Sequence, residues 1–303
     1  MRAGVKWFLP VLALGLATCR AGSAVAPAGL RIATYNIENY VAADRMTDAG
    51  FRKGYPKPER EKAALRKVVR DLAADVLVLQ EMGPRPYLEE LRRDLRAEGL
   101  DYPHSALASA ADADRHIAIL SRRPLLGVQT HDDLSFAYLG GRETVKRGLL
   151  EAVVETPDGP VTVFALHLKR RLTERDADPG SAVRRAAEAT AVRDRVLVRC
   201  PDPTQVRFVV LGDCTEGRNS RAAAALQRRG KTEIATLLSA ADSRGEAWTH
   251  AYRREESYSR VDLIFVSAGL LPWVDGGAAR IHDAPEVRAA SDHRPVFIDL
   301  RAR

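Results

Sequence analysis

The chain has 303 residues, 46% hydrophobic and 29% charged, with a formal net charge of +7. That balance excludes a disordered or low-complexity protein, and no apolar run reaches the roughly 18 residues a membrane-spanning helix needs. The mild basic excess permits a polyanionic partner without requiring one.

Residues 1–26 open with a basic head (Arg2, Lys6), run through an apolar stretch from Trp7 to about Ala17, and end at Ala24-Val25-Ala26. Those three parts, with no acid among them, predict a secretory leader and a domain over 27–303 in the periplasm or outside the cell. Leu16-Ala17-Thr18-Cys19 resembles a lipobox, so a lipid anchor at Cys19 is the alternative, although Thr18 is larger than the residue usual there. Losing Arg2, Lys6 and Arg20 lowers the formal charge from +7 to +4.

Beyond the leader, short β-rich runs and helical stretches follow one another. Leu30–Tyr35 alternates as a strand does. Glu59–Leu72 places Ala63, Leu65, Val68, Val69 and Leu72 at helical spacing. Asp75–Leu79 reads as a buried strand, Tyr87–Glu98 as a second amphipathic helix, and Ile117–Leu120 as another buried strand. Leu149–Glu155 and Val161–Leu168 flank Thr156-Pro157-Asp158-Gly159-Pro160, the turn chemistry of a hairpin. Gly180–Arg199 is a long basic helix whose arginines are expected on a solvated face. Val206–Leu211, Val261–Val266 and Val296–Leu300 close the series. With no repeat or Gly/Ser linker, one mixed domain of helices and strands is expected. Cys200 and Cys214 flank one strand, and the sequence leaves their pairing open.

Several strands end in groups that ought not to be buried: Thr34-Tyr35-Asn36-Ile37-Glu38-Asn39, Gln80-Glu81, Leu166-His167-Leu168-Lys169 and Gly212-Asp213-Cys214-Thr215. Ser259-Arg260-Val261-Asp262 opens another, and Ser291-Asp292-His293-Arg294-Pro295 precedes the last. A carboxylate after one strand is an ordinary cap. Six such ends together are a site, because loops there are free of the ladder yet held by it.

In this order the motifs Tyr-Asn-Ile-Glu-Asn, Gln-Glu, Ser-Arg-Val-Asp and Ser-Asp-His resemble the endonuclease/exonuclease/phosphatase family over residues 30–301. The resemblance implies an α+β fold, a four-layer α/β/β/α sandwich of two packed mixed β-sheets flanked by helices. It also implies a phosphodiester hydrolase dependent on Mg²⁺ or Mn²⁺. Glu81 would be the direct carboxylate ligand of the metal, with Asn36 and Asp292 in its shell and Glu38 close by. His293 would contact the scissile phosphate or handle the proton of water, its ring oriented by Asp262. Asp213 would orient the attacking water and His167 would serve as general acid. Asn36, Arg115, Lys169 and Thr215 would contact substrate. His104, His116, His131, His250 and His282 match no motif and carry no expected role.

One departure stands out. The family usually reads Gly-Asp-x-Asn, whereas this chain has Thr215 in place of the Asn. A hydroxyl on a shorter arm replaces an amide only in part, and one lost transition-state donor costs about 2.7–4 kcal/mol. The first expectation is an exported monomeric phosphodiesterase acting on nucleic acid, with no protein partner implied. A phospholipid hydrolase, as in sphingomyelinases, or a small phosphate-ester hydrolase is second, disfavoured because no aromatic hairpin is apparent. A binding protein on a decayed scaffold is the reading from another class.

Overall fold

Alternation of side chains along the strands sets the architecture. The computed structural model describes residue 1 and residues 29–302, apart from 48, 173 and 174. The expected leader and Cys19 lie outside the described residues. A seven-stranded sheet runs in the order Ala240–Ala241, Ala279–Ile281, Val296–Leu300, Leu30–Tyr40, Val76–Met82, His116–Ser121, His104–Leu107. A six-stranded sheet runs Thr236–Leu237, Asp262–Val266, Phe208–Asp213, Val161–His167, Leu149–Val154, Leu125–His131. Both mix parallel and antiparallel pairs, as Leu30–Tyr40 does with its two neighbours.

Every second residue of the central strands faces the other sheet. Ile32, Val76, Val78, Ile119, Val163, Ala165, Val209, Leu211, Ile264 and Val266 form the layer between the sheets. The intervening residues meet helices. Ala33, Leu77 and Leu79 pack on Leu65, Val68 and Leu72 of helix Glu59–Leu72 and on Leu88, Leu91 and Leu95 of helix Arg85–Ala97. Phe164, Phe208, Val210 and Phe265 pack on Ala189, Val192 and Val196 of helix Ala182–Arg199 and on Leu226 of helix Arg221–Gln227. Each fully buried Leu, Val or Phe contributes about 1.5–3 kcal/mol, so strands buried on both faces supply most of the driving force. The result is the expected four-layer α/β/β/α sandwich. Helix Glu59–Leu72 carries Glu59 and Glu61 in its first turn, where the dipole favours them, and stops at Ala73 in the left-handed conformation.

Three expectations change. The strand expected to stop at Leu211 runs on to Asp213, so that carboxylate is still on the ladder, as are His167 at the end of its strand and Asp262 at the start of its own. The basic face of helix Ala182–Arg199 is not wholly solvated, because Arg185 is buried and donates to the Glu216 carboxylate and to the Lys169 carbonyl. Finally, Ala43–Thr47 and Gly50–Tyr55 pair as an antiparallel hairpin that exposes Met46, Phe51 and Tyr55. Weak alternation in that stretch hid this aromatic hairpin from the sequence reading. Cys200 and Cys214 are buried free thiols.

Candidate active site

The site is the polar continuation of the layer between the sheets. Following the period of two, Ile32 and Thr34 lead to Asn36, Val163 and Ala165 to His167, Val209 and Leu211 to Asp213, and Ile264 back to Asp262. Ladder register then sets the polar ends abreast: His167 pairs with Asp213, and Asp213 with Asp262. Gly212 makes the first pairing possible. At φ +147° it lies so close to the neighbouring strand that a Cβ would sit 2.0 Å from the Leu166 carbonyl oxygen.

Asp213 is the hub. Its Oδ2 accepts from Asn36 Nδ2 at 3.0 Å and lies 3.4 Å from His167 Nε2 and 3.9 Å from His293 Nε2. Its Oδ1 accepts from the Thr215 N–H at 2.6 Å and from the Thr215 hydroxyl at 3.3 Å. Burial opposes its ionisation, but the His167 hydrogen bond, the charges of His293 and His167, and the Thr215 N–H together hold the carboxyl well below its usual range. His293 is nine-tenths buried, and its Nδ1 lies 2.8 Å from Asp262 Oδ2. Burial alone would neutralise this ring. Asp262, and behind it Asp213 and Asp292, outweigh burial and keep it protonated. Asp262, buried throughout, is itself pushed upward by desolvation against the pull of His293.

The carboxylate side begins at Glu81, which leaves its buried strand at φ +63°. Its Oε2 accepts from the Asn39 N–H at 2.9 Å, and Arg115 Nε donates to Asn39 Oδ1 at 2.7 Å. Arg115 therefore reaches the site one residue away from Glu81. Glu38 Oε2 accepts from the Asp292 N–H at 3.1 Å, and the Glu38 N–H donates to Asn36 Oδ1 at 3.1 Å. Desolvation and the Asp292 charge push the Glu38 carboxyl up to about 7. Glu38 and Asp292, both half-buried, repel each other, a condition that a hard divalent cation would relieve, and the half-buried Glu81 offers a further carboxylate of the kind Mg²⁺ or Mn²⁺ takes. Among the described non-glycine residues, Glu38, Asn39, Glu81 and Thr215 all take positive φ, local strain gathered at one site.

Not every expected residue behaves as expected. Asn36 engages both ends of its amide within the protein, tying Glu38 to Asp213. Thr215 turns its hydroxyl to Asp213 and to the Leu168 carbonyl at 3.5 Å. Lys169 is not brought to the cluster: its ammonium folds onto the Arg170 and Leu172 carbonyls of its own loop. Conversely, His250 joins the site unforeseen. Its backbone bridges to His293, its ring lies 4.6 Å from the His293 ring, and its Nε2 is 3.5 Å from Asp292 Oδ2. The only hint was its place in Trp248-Thr249-His250, shortly before Ser259-Arg260-Val261-Asp262. His131, by contrast, is locked elsewhere between Glu151 and Arg195.

Solved structures share this fold at low identity. An endonuclease/exonuclease/phosphatase from Bacteroides vulgatus has a TM-score of 0.62 at 16% identity, covering 91% of this chain and 99% of that one. Beta toxin from Staphylococcus aureus with bound magnesium ions has a TM-score of 0.63 at 13% identity, covering 90% and 100%. Sphingomyelinase C from Streptomyces griseocarneus has a TM-score of 0.60 at 16% identity, covering 90% and 99%. No curated protein matches the chain by sequence. The model of the endonuclease/exonuclease/phosphatase family matches residues 33–293, which span both sheets and every polar end described above, and the chain belongs to that family.

Proposed function

We propose that this chain is a divalent-metal-dependent phosphodiesterase that cleaves nucleic acid outside the cytoplasm. The observation that carries the reading is the Asp262–His293–Asp213 alignment, closed by Asn36 and His167 on the inner face of the sandwich. A protonated His293 is a cation and donor for a phosphoryl oxygen, not a base. Asp213, held ionised, is the acceptor that orients the attacking water, and His167 supplies a proton to the leaving oxygen. A divalent cation held by Glu81, with Glu38 and Asp292, would acidify that water and neutralise phosphoryl charge. Arg115, Arg171 and Arg253 rim the site, which suits a chain of phosphates. Export rests on the leader-like residues 1–26 and is tested by the mass of the mature N-terminus, which distinguishes Pro27 from a lipidated Cys19.

The test is hydrolysis by the full-length chain, with Mg²⁺ or Mn²⁺, of plasmid DNA, RNA, sphingomyelin vesicles and bis(4-nitrophenyl) phosphate. Glu81→Ala and His293→Ala run in parallel. Nucleic-acid cleavage lost at least 10³-fold in both variants supports the reading. No cleavage of any substrate and no metal effect on melting would leave the binding-protein reading standing.

The exposed hairpin favours one second reading, phospholipid hydrolysis. Met46 and Phe51 are 75% and 57% exposed on a hairpin that starts three residues after Tyr40, beside the carboxylate side of the site. Cleavage of sphingomyelin alone, weakened by Met46→Ser with Phe51→Ser while bis(4-nitrophenyl) phosphate turnover stays constant, would select it.

A further inference from the structure

His250 belongs to none of the motifs, yet it completes a set of ligands. Residues 250 and 293 face each other in an antiparallel bridge, fixed by Ala251 N–H to the Asp292 carbonyl at 2.9 Å and Arg294 N–H to the Thr249 carbonyl at 2.7 Å. Bridge partners project to the same side, so the two rings stand together over Asp292. His250 Nε2 lies 3.5 Å from Asp292 Oδ2, and His293 Nε2 lies 3.9 Å from Asp292 Oδ1. One ligand atom from each of the three residues falls within a 4.8 Å sphere of separations. Donors bonded to one ion at about 2.1 Å stand roughly 3–4 Å apart, so small rotations close the site.

The state of His293 points to a ligand as well. Its Nδ1 is committed to Asp262, which leaves Nε2 as the atom aimed into the cluster, with neither neighbouring carboxylate nearer than 3.9 Å. A histidine that gives its Nδ1–H to a buried carboxylate and presents Nε2 is the arrangement most metal-ligating histidines adopt. The alternative trio Asp213, Asp262 and His293 is wholly buried, and its Asp262 already holds His293 Nδ1.

We propose that His250, Asp292 and His293 form a two-histidine, one-carboxylate position for a late first-row dication, Zn²⁺ by preference. It shares Asp292 with the Glu81 position and differs in its other ligands: imidazole favours zinc, whereas the carboxylates of Glu81 and Glu38 favour magnesium or manganese. The consequence for turnover rests on the proposed function. Zn²⁺ coordinated to His293 Nε2 occupies the atom that His293 would aim at a phosphoryl oxygen. Zinc therefore inhibits at concentrations where magnesium activates.

The experiment is isothermal titration of Zn²⁺ into the full-length wild type, His250→Gln and Glu81→Gln, with melting curves to establish that each is folded. One equivalent bound by wild type and Glu81→Gln, and at least tenfold weaker binding by His250→Gln, is expected. Unchanged binding by His250→Gln, or binding abolished by Glu81→Gln, overturns the proposal. Should His250→Gln fail to fold, Co²⁺ added to wild type gives the same answer by NMR. Paramagnetic broadening must centre on the His250 and His293 rings, and broadening centred elsewhere overturns the site. These readouts need no substrate, so a failure of the phosphodiesterase reading leaves them interpretable. If hydrolysis is found, the zinc concentration for half-inhibition rises at least tenfold in His250→Gln, and an unchanged value overturns the inhibitory role.

Discussion

His293 Nδ1 stands 2.8 Å from Oδ2 of Asp262, whose backbone N–H donates to the Thr249 hydroxyl at 3.1 Å. A fully buried carboxylate thus fixes both the ring tautomer and its charge. Asp262→Asn keeps the shape but removes the charge, so the neutral ring takes up either tautomer. We expect kcat to fall about 10³–10⁴-fold with little change in KM, as when the orienting carboxylate of a catalytic histidine is replaced. Asp262 is also a principal cause of the raised His293 pKa. Removing it lowers that pKa, so the alkaline limb of the residual activity moves to lower pH. A pH–rate profile for wild type and Asp262→Asn checks both, and an unmoved alkaline limb would mean that Asp262 does not control the ring's proton.

Thr215 sits at φ 55°, in the left-handed region, where a β-branched residue is strained and asparagine is tolerated. Its hydroxyl is occupied by Asp213 and the Leu168 carbonyl. Thr215→Asn is therefore expected to act twice. Relief of backbone strain raises stability by about 1 kcal/mol, or a few degrees in Tm. An amide donor at this position also raises kcat about tenfold or more. Differential scanning calorimetry and steady-state kinetics read the two effects separately. A lower Tm would refute the strain argument, and a higher Tm with unchanged kcat would confine the effect to the backbone.

Much of the site was legible because its residues continue a pattern. Asn36, His167 and Asp213 extend the inner-face alternation of strands whose apolar residues mark them as buried, so a polar residue there needs a function to explain it. What stayed illegible depends on contacts between segments distant in the chain. His250 reaches Asp292 only through a bridge between two loops, and no periodicity encodes a single bridge. Lys169 follows His167 by two residues, yet the strand ends between them and its side chain turns to its own loop. The exposed hairpin at Ala43–Tyr55 has no buried face, and hydrophobic patterning detects strands through their buried face.

Gly212 tests the register directly. Any Cβ there would lie 2.0 Å from the Leu166 carbonyl oxygen, which belongs to the strand ending at His167. Backbone cannot rotate out of the way as a flexible side chain can, so the two strands would have to separate. Gly212→Ala is expected to cost about 3 kcal/mol or more and to lose activity through the His167–Asp213 pairing. Urea unfolding measures the first effect. A variant with wild-type stability would show that the two strands are less closely apposed than described.

Asp242 and Arg294 hold the loop behind His293. Arg294 Nη1 lies 2.8 Å from Asp242 Oδ2, its guanidinium stacks 3.6 Å above the Trp248 ring, and its Nε donates to the Trp248 carbonyl at 2.9 Å. Burial resists ionisation of Asp242, but Arg294 and the N–H groups of Glu246 and Arg244 overcome it and depress the carboxyl well below its usual range. A group whose folded pKa is depressed contributes stability that is fully present above its unfolded pKa, about 3.9, and is lost as pH falls toward the folded value. Asp242→Asn leaves the buried Arg294 with only the half-exposed Glu246, at 3.8 Å, as a carboxylate partner and is expected to cost about 3 kcal/mol at neutral pH. Because the wild type loses the same interaction in acid, the gap between the two proteins should narrow steadily below about pH 4. Urea midpoints measured across that range decide the point: a gap independent of pH would assign the loss to packing around Trp248 rather than to the charge on Asp242.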